Sequence, residues 1–370
     1  MTDLSKIHLG VMQRVLPSYR VPLFDALADA FDNNVSVFAG EPRKIEALNS
    51  RGKPTFAKLW HGKNIHILDG PLYLCWQSGL IQWLSEWMPS VLIMEANPRY
   101  IHSPAAVRWV RKRGGKLIGW GLGSPNPQGI LSSLRLSARK RFIKQFDALI
   151  TYSSQGAGEY ADLGFPPDLI FTAPNAAAPR PKHAIPVRSN EYIGGRPIIV
   201  FVGRLQERKR VDTLIRACAA LNPEIQPVLK IIGDGPSCTA LESLAKDVYP
   251  EAIFYGAKHG ADLEQHLRSA DVFVLPGTGG LAIQEAMSFA LPVIVGEADG
   301  TQEDLVRPEN GWLLPDISVQ TLAETISLAV DDIDALRKKG AASFRIVSEE
   351  INLENMIAVF SKAIHKVMEI

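Results

Sequence analysis

Short uninterrupted apolar runs recur along the chain. Each is followed by a polar or glycine-containing turn and then by apolar residues at three- and four-residue spacing. In the first half, residues 7–12, VSVFAG (35–40), IHIL (65–68), VLIM (91–94) and DALITYSS (147–154) read as strands with their exit loops. LFDALADAF (23–31), with Pro22 in the first helical turn, and LIQWLSEWM (80–88) read as amphipathic helices. VRWVRKRGGKLIGWGLGS (107–124) runs helix, glycine stop, strand and loop, whereas residues 41–64 are polar and read as a loop. In the second half, residues 198–202, 229–233, 272–275 and 293–295 are strand-length apolar runs, and FYGAKHG (254–260) is a short strand with its loop. From Val319 onward the pattern is helical, ending in a helix over residues 352–368. Strands alternating with helices predict an α/β protein with parallel sheets.

A chain of 370 residues exceeds what one hydrophobic core ordinarily serves. Residues 179–196 are proline-rich and lack periodicity, so they are the expected linker between domains at 1–178 and 197–350, with 351–370 a terminal helix. The three cysteines, Cys75, Cys218 and Cys238, are odd in number and far apart, which argues against a disulfide framework or a cysteine metal site and fits a reducing cytoplasm. Residues 1–6 are polar and no window holds eighteen uninterrupted apolar residues, so neither a secretory leader nor a membrane-spanning helix is expected. The net charge of +1 conceals an asymmetry: residues 1–180 carry 21 Lys+Arg against 13 Asp+Glu, and the remainder 19 against 26. A basic first half suits an anionic acceptor or membrane surface. No aromatic-basic motif of a nucleic-acid-binding module is present, and nucleic acid is not an expected partner.

The chemistry concentrates in DVFVLPGTGGLAIQEAMSFALPVIVGEADGTQEDLV (271–306), which reads strand, glycine loop, helix, strand. Leu281, Ala282, Ala286 and Met287 supply one helical face. Glycines admit a ligand close to the backbone, and the helix start offers free N–H groups, both suited to phosphate. About seventy residues earlier, IIVFV is followed by GRLQERKRVDTLIRA, which puts Arg204 and Lys209 where a parallel strand delivers ligands. Arg208 and Arg210 read as a solvated turn.

Together with IIGDGP (231–236), these stretches resemble the C-terminal half of a family 4 glycosyltransferase of the GT-B fold. The matching residues are Gly203, Arg204, Lys209, Gly233, Asp234, Gly235, Pro236 and Glu285. The resemblance covers residues 197–370 and continues more loosely toward the N-terminus. It implies two Rossmann-like parallel-sheet domains facing a cleft, a nucleoside-diphosphate-sugar donor in place of a cofactor, retention of anomeric configuration, and no metal. Arg204 and Lys209 would carry leaving-group stabilisation, and Glu285 would hold ribose hydroxyls. Asn175, Gly203, Gly233, Lys258, Thr278, Gly279, Gly280, Leu281 and Glu303 would line the donor. The last helix would cross back to the first domain.

Two positions depart from that pattern. A second glutamate, eight residues before Glu285, would hold the donor sugar, and Gly277 stands there. A histidine beside the reacting carbon is replaced by Leu122. A deoxygenated donor sugar held by the backbone of residues 278–280 is one expectation, and restoring the carboxylate as Gly277→Glu is its test. In the first half Arg14, Tyr19 and Arg20, with Gln13, cluster after the first strand, and Glu95, Asn97 and Arg99 after VLIM. Arg14 and Arg20 read either as acceptor or phosphate contacts or as plain surface, Glu95, Asn97 and Arg99 take a cleft position, and Arg14, Tyr19, Arg20, Asn97 and Arg99 are the acceptor-side candidates. Trp76, Trp83 and Trp87 read as core or a docking face, and His102 as a surface histidine. SSLRLSARKRFIKQF (132–146) sets Arg135, Arg139, Lys140, Arg141 and Lys144 among apolar residues and reads either as a basic amphipathic helix on anionic lipid or as an ordinary packed helix.

The leading expectation is therefore a cytoplasmic transferase, peripheral at the inner membrane face, that glycosylates a glycan or lipid-linked acceptor. A degenerate, non-catalytic nucleotide-sugar binder is the first rival. A dinucleotide oxidoreductase lacks the G-x-G-x-x-G fingerprint with its downstream acidic residue, and a phosphorylase would need a lysine-bound pyridoxal group.

Overall fold

The apolar runs become central strands of parallel sheets, where both faces of a strand are covered. The computed structural model describes residues 6–43, 46, 50, 52–68, 70, 73–125, 132–298 and 300–369. The chain divides into two compact units, residues 1–177 with 353–370, and residues 178–352.

In chain order the first unit comprises β1 (Leu9–Val15), α1 (Val21–Ala30), β2 (Val35–Gly40), β3 (Lys58–His61), β4 (Lys63–Ile67), β5 (Leu74–Ser78), α2 (Leu80–Trp87), β6 (Val91–Glu95), α3 (Ser103–Arg111), β7 (Lys116–Gly121), α4 (Ser132–Ile143), β8 (Ala148–Thr151), α5 (Ser154–Asp162) and β9 (Ile170–Thr172). Seven strands form one parallel sheet in the order β3-β2-β1-β6-β7-β8-β9. β4 and β5 pair antiparallel as a separate ribbon.

The second unit comprises β10 (Ile198–Val202), α6 (Val211–Ala220), β11 (Val228–Ile232), α7 (Cys238–Val248), β12 (Ala252–Phe254), α8 (Gly260–Ser269), β13 (Val272–Leu275), α9 (Leu281–Ser288), β14 (Val293–Gly296), α10 (Gln302–Leu305), β15 (Gly311–Leu314), α11 (Val319–Asp331) and α12 (Ile333–Glu349). Its six strands lie parallel in the order β12-β11-β10-β13-β14-β15. The last helix, α13 (Leu353–Glu369), belongs to the first unit. Its buried stripe of Leu353, Met356, Phe360, Ala363, Ile364 and Val367 follows helical spacing. Phe360 meets Trp120 edge-on at 4.9 Å.

Several expectations are corrected. β1 runs past Met12 to Val15, with a register irregularity between those two residues. β3 lies inside the stretch expected as loop. It is an edge strand of exposed and half-buried residues, so it has no apolar run to announce it. Residues 179–196, expected as the linker, pack on the second unit. Arg188 donates to the carbonyls of Leu267 (3.0 Å), Arg268 (2.8 Å), Phe289 (2.7 Å) and Ala270, and the Tyr192 hydroxyl donates to Val330 O at 2.8 Å. The segment therefore belongs to the second unit.

His102 is 2% exposed rather than on the surface. Its Nδ1 accepts from the Gln77 N–H at 3.0 Å, and burial pushes its pKa down to about 4. Trp83 is core, donating to Ser36 Oγ at 2.9 Å. Trp87 stacks on His8 at 5.4 Å, and Trp76 is exposed. α4 does not separate a basic face from an apolar one. Leu134 and Arg141 are seven residues apart, hence on one side of the helix, and both are exposed, while Phe142 and Ile143 anchor the C-terminal end.

Truncating Phe360 tests the role of α13 in the first unit. Phe360→Ala is expected to destabilise that unit by about 3–5 kcal/mol, read as an earlier denaturant transition in the fluorescence of Trp120, with Phe360→Leu closer to wild type.

Candidate functional site

In the second unit β10 lies between β11 and β13, so the strand order reverses there. In parallel sheets such a switch point leaves a crevice at the strands' carboxyl ends. The ends of β10 and β11 come together through glycine. Gly233 has φ +146°, and a Cβ there would lie 2.9 Å from the carbonyl carbon of Gly203. Gly203 N donates to Ile232 O, and Leu205 N to Asp234 O, each at 2.9 Å. The resulting cavity of about 400 Å³ is lined by Gly203, Arg204, Gly233, Lys258, His259 and Glu285, among others. Arg204 is exposed, and its guanidinium has no partner among the described residues. The Glu285 carboxyl, carried by α9, is likewise unpartnered among them. The residue is exposed by surface area, but its carboxyl lines the cavity, and desolvation by the cavity walls raises its pKa, with the charge of His259 opposing and that of Glu264 adding.

Beside this cavity the glycine loop is held against the turn at residues 207–209. Lys209 is 8% exposed, and its ammonium donates to Thr278 O. Arg208 Nη1 donates to Thr278 Oγ1 at 2.8 Å, and Thr278 N donates to Arg208 O at 3.2 Å. Arg208 is thus part of the loop's support rather than an idle turn residue. Arg210 donates to Thr213 Oγ1 and Ile317 O, each at 3.3 Å. From the other side Gln302 Nε2 donates to Gly279 O at 3.2 Å. Burial, and secondarily the charge of Arg208, push the Lys209 pKa down to about 8.

This packing accounts for Gly277. A Cβ at that position would run into the carbonyl oxygen of Arg208 and lie 2.6 Å from Lys209 Cα. In this backbone a side chain of any kind is excluded, and the carboxylate expected there has no room.

The donor-side residues named from the sequence thus fall into groups. Gly203, Arg204, Gly233, Lys258 and Glu285 share the cavity. Lys209, Thr278 and Gly279 form the supported loop, and Gly280 and Leu281 begin α9. Of the helical face expected from Leu281, Ala282, Ala286 and Met287, the last two are buried; Ile283 and Gln284 bury in place of the first two, which stay half-exposed. Glu303 is exposed on α10, away from the cavity lining. Asn175 stands in the first unit, beyond β9.

The first unit has its own switch point, where β1 lies between β2 and β6. A cavity of about 430 Å³ opens at the carboxyl ends of β1, β6 and β7, and Arg14, Tyr19, Arg20, Asn97 and Arg99 all line it, together with Gln13, Glu95 and Leu122. Arg14 pairs with Glu46 at 2.9 Å. Arg20 donates to Gln13 Oε1 at 3.0 Å, with its guanidinium 4.6 Å from the Trp120 ring and 5.1 Å from that of Tyr152. Sequence reasoning missed Trp120, Tyr152 and Arg139 in this lining. The first two stand at the carboxyl end of a parallel strand or one residue past it, which is the signal that would have found them.

Residues 196–332 match the family model described as glycosyl transferases group 1. The chain is 29% identical over 214 residues to a GDP-mannose-dependent alpha-(1-6)-phosphatidylinositol monomannoside mannosyltransferase of Mycobacterium tuberculosis, covering 54% of this chain and 55% of that protein. It is 42% identical over 126 residues to a GDP-mannose-dependent alpha-mannosyltransferase of Mycolicibacterium smegmatis, covering 33% and 31%. At most, then, the chain spans about half the length of these curated relatives. Among solved structures, Anabaena HepE in complex with UDP superposes with a TM-score of 0.71 at 16% identity, covering 97% of this chain and 99% of that one. Sucrose-phosphate synthase from Thermosynechococcus elongatus does so with 0.70 at 17%, covering 98% and 99%. Two parallel-sheet units with these neighbours define the GT-B fold. Residues 196–332 thus carry the likeness to glycosyl transferases group 1, and the two-unit architecture is that of the GT-B fold.

Two outcomes follow from the loop. Gly277→Glu is expected to lower pyrophosphate affinity at least ten-fold by displacing the loop, whereas Gly280→Ala, where a Cβ meets nothing nearer than 3.8 Å, leaves it within about two-fold; calorimetry reads both. An anion at this loop would be met by the charged form of Lys209, which is present below its pKa of about 8. Pyrophosphate affinity is therefore expected to fall as pH rises from 7 to 9.5, with proton uptake on binding, and to stay flat over that range in Lys209→Met.

Proposed function

We propose that the protein is a retaining, metal-independent glycosyltransferase that moves a hexosyl group from a nucleoside-diphosphate sugar onto a glycan or lipid-linked acceptor in cell-surface glycan synthesis. The observation that carries this reading is the shared cavity of Arg204 and Glu285, both unpartnered among the described residues and bounded by the close-packed turns at Gly203 and Gly233. A cation and a carboxylate left free in one cavity suit a ligand that brings phosphate oxygens to one and vicinal hydroxyls to the other.

The chemistry follows from the leaving group. As the bond between the anomeric carbon and the diphosphate breaks, negative charge grows on the diphosphate and the sugar becomes oxocarbenium-like. Charges positioned beforehand stabilise that state more than the ground state. Arg204 offers a planar fork to phosphate oxygens, Lys209 a compact charge fixed by Thr278 O, and the start of α9 its free N–H groups. These three sources supply the positive charge a metal ion would otherwise contribute. Glu285 accepts from the ribose hydroxyls. The donor sugar is then held without a carboxylate at position 277, through the backbone of residues 278–280.

The mannosyltransferase relatives make GDP-mannose the first donor to test. The phosphatidylinositol monomannoside named for the Mycobacterium tuberculosis relative supports a lipid-linked acceptor and work at a membrane surface. No helix among the described residues is long and apolar enough to cross a membrane. The exposed basic residues of α4 would contribute electrostatic attraction to anionic lipid rather than an inserted face. A second reading, a nucleotide-sugar-binding protein without turnover, is favoured by Gly277 and Leu122 and opposed by the intact Arg204, Lys209 and Glu285.

Slow donor hydrolysis without acceptor separates the two, being present in the transferase and absent in the binder, and calorimetric titration with GDP, UDP, dTDP and ADP in the absence of metal tests the site they share. One diphosphate is expected to bind selectively, and Arg204→Ala to weaken it at least ten-fold. Absence of binding by all four, or full affinity and transfer activity in Arg204→Ala, removes the leaving-group account.

A further inference from the structure

The cavity of the first unit is lined by polar atoms that are buried yet unpaired. Gln13 Nε2, Arg20 Nε, Trp120 Nε1 and Glu95 Oε2 have no hydrogen-bond partner among the described residues, and all four side chains line that one cavity. Three are donors and one is a carboxylate oxygen. A buried polar group without a partner is costly, so their convergence on one space points to a ligand that completes them. A hydroxyl group both donates and accepts. A ring carrying several hydroxyls therefore satisfies donors and carboxylate together, where a purely anionic or purely apolar ligand cannot.

Glu95 is placed for this by its neighbours. It closes β6 at the switch point, and its carboxylate takes hydrogen bonds from the Tyr100 hydroxyl and the Arg14 backbone N–H. Its second oxygen remains unpaired. Burial raises its pKa, opposed by those hydrogen bonds and by the charges of Arg20 and Arg14.

The rim adds charge. Arg14 is taken up by Glu46 and Arg20 by Gln13 and the aromatic rings. Arg99 has no ion pair among the described residues, and Arg139 donates only to the carbonyl of Pro125. Two guanidinium groups outside any close ion pair among the described residues therefore line the same cavity, Arg139 with the Glu159 carboxylate in its field, and the planar fork of each matches phosphate oxygens.

We infer that this cavity binds a polyhydroxylated ring bearing a phosphoryl group, with the ring hydroxyls on Glu95, Gln13, Arg20 and Trp120 and the phosphoryl group on Arg99 and Arg139. This deepens the transferase reading, on which it rests, by giving the acceptor's class: a sugar phosphate, whether a free monoester or the phosphodiester headgroup of a lipid. Arg139 then serves ligand binding from α4 rather than a lipid surface.

The test is calorimetric titration of the full chain with glucose 1-phosphate, its octyl phosphodiester, glucose and inorganic phosphate, with GDP titrated into the same samples. Glucose 1-phosphate or its diester is expected to bind at least ten-fold more tightly than glucose or phosphate alone, and its affinity to fall with added salt while that of glucose does not. Glu95→Gln should weaken the ring phosphate and glucose alike, at least ten-fold. The double variant Arg99→Ala with Arg139→Ala should reduce the ring phosphate to the affinity of glucose. Preference for the diester identifies a lipid-borne source, and preference for the monoester a free one. Inorganic phosphate binding as tightly as the ring phosphate, a salt-independent ring phosphate, no binding by any of the probes, or full affinity in folded Glu95→Gln overturns the inference. GDP binding in those same samples shows that the donor-side reading stands when this one falls.

Discussion

The donor-side geometry depends on a backbone contact, the approach of Gly277 to the carbonyl of Arg208 and to Lys209 Cα. It brings the loop at residues 277–280 under the Lys209 ammonium and lets Arg208 reach Thr278 Oγ1. An ammonium buried with a carbonyl as its hydrogen-bond partner is short of negative charge, which is why its pKa falls to about 8 and why a phosphate oxygen is its natural complement. The contact also sets a limit. A backbone packed this closely cannot carry a side chain at position 277, so loop support and a sugar-binding carboxylate are mutually exclusive here. The glycine at position 277 is a consequence of how the loop is held, and a side chain added there would displace the loop from Arg208 and Lys209.

Both units follow one rule with different chemistry. Each places its cavity at the carboxyl ends of parallel strands where the strand order reverses, at β10 and β13 in the second unit and at β1 and β6 in the first. In the second, glycines bring backbone close, and Arg204 and Glu285 have no partner among the described residues. In the first, large side chains line the equivalent space: Trp120 and Tyr152 flank the Arg20 guanidinium, and Glu95 sits among arginines.

Much of this was legible in the sequence for a physical reason. A strand buried on both faces must be an unbroken apolar run, so β2, β6, β8, β10 and β13 are visible as words in the chain. Residues just past such runs are at the cavity by construction, which located Arg204, Gly233, Arg14 and Asn97. The edge strand β3 and the ribbon strand β5 escaped because half-exposed strands mix polar with apolar residues. His102 escaped because its burial rests on a long-range hydrogen bond to Gln77, and Arg188 because its partners are carbonyls some eighty to one hundred residues away. The steric exclusion at Gly277 is likewise invisible in one dimension: its neighbours lie seventy residues back in the chain. Periodicity suggested a two-faced helix at α4, but Leu134 falls on the same side as Arg141.

The most direct test of the central claim is amide hydrogen exchange with and without saturating GDP, or whichever diphosphate binds. If the supported loop is the phosphate cradle, exchange slows at residues 278–283 and 203–210 together, and in Lys209→Met the protection at 278–283 is lost. Slowed exchange elsewhere in the second unit, with both segments unchanged by the ligand, would contradict it.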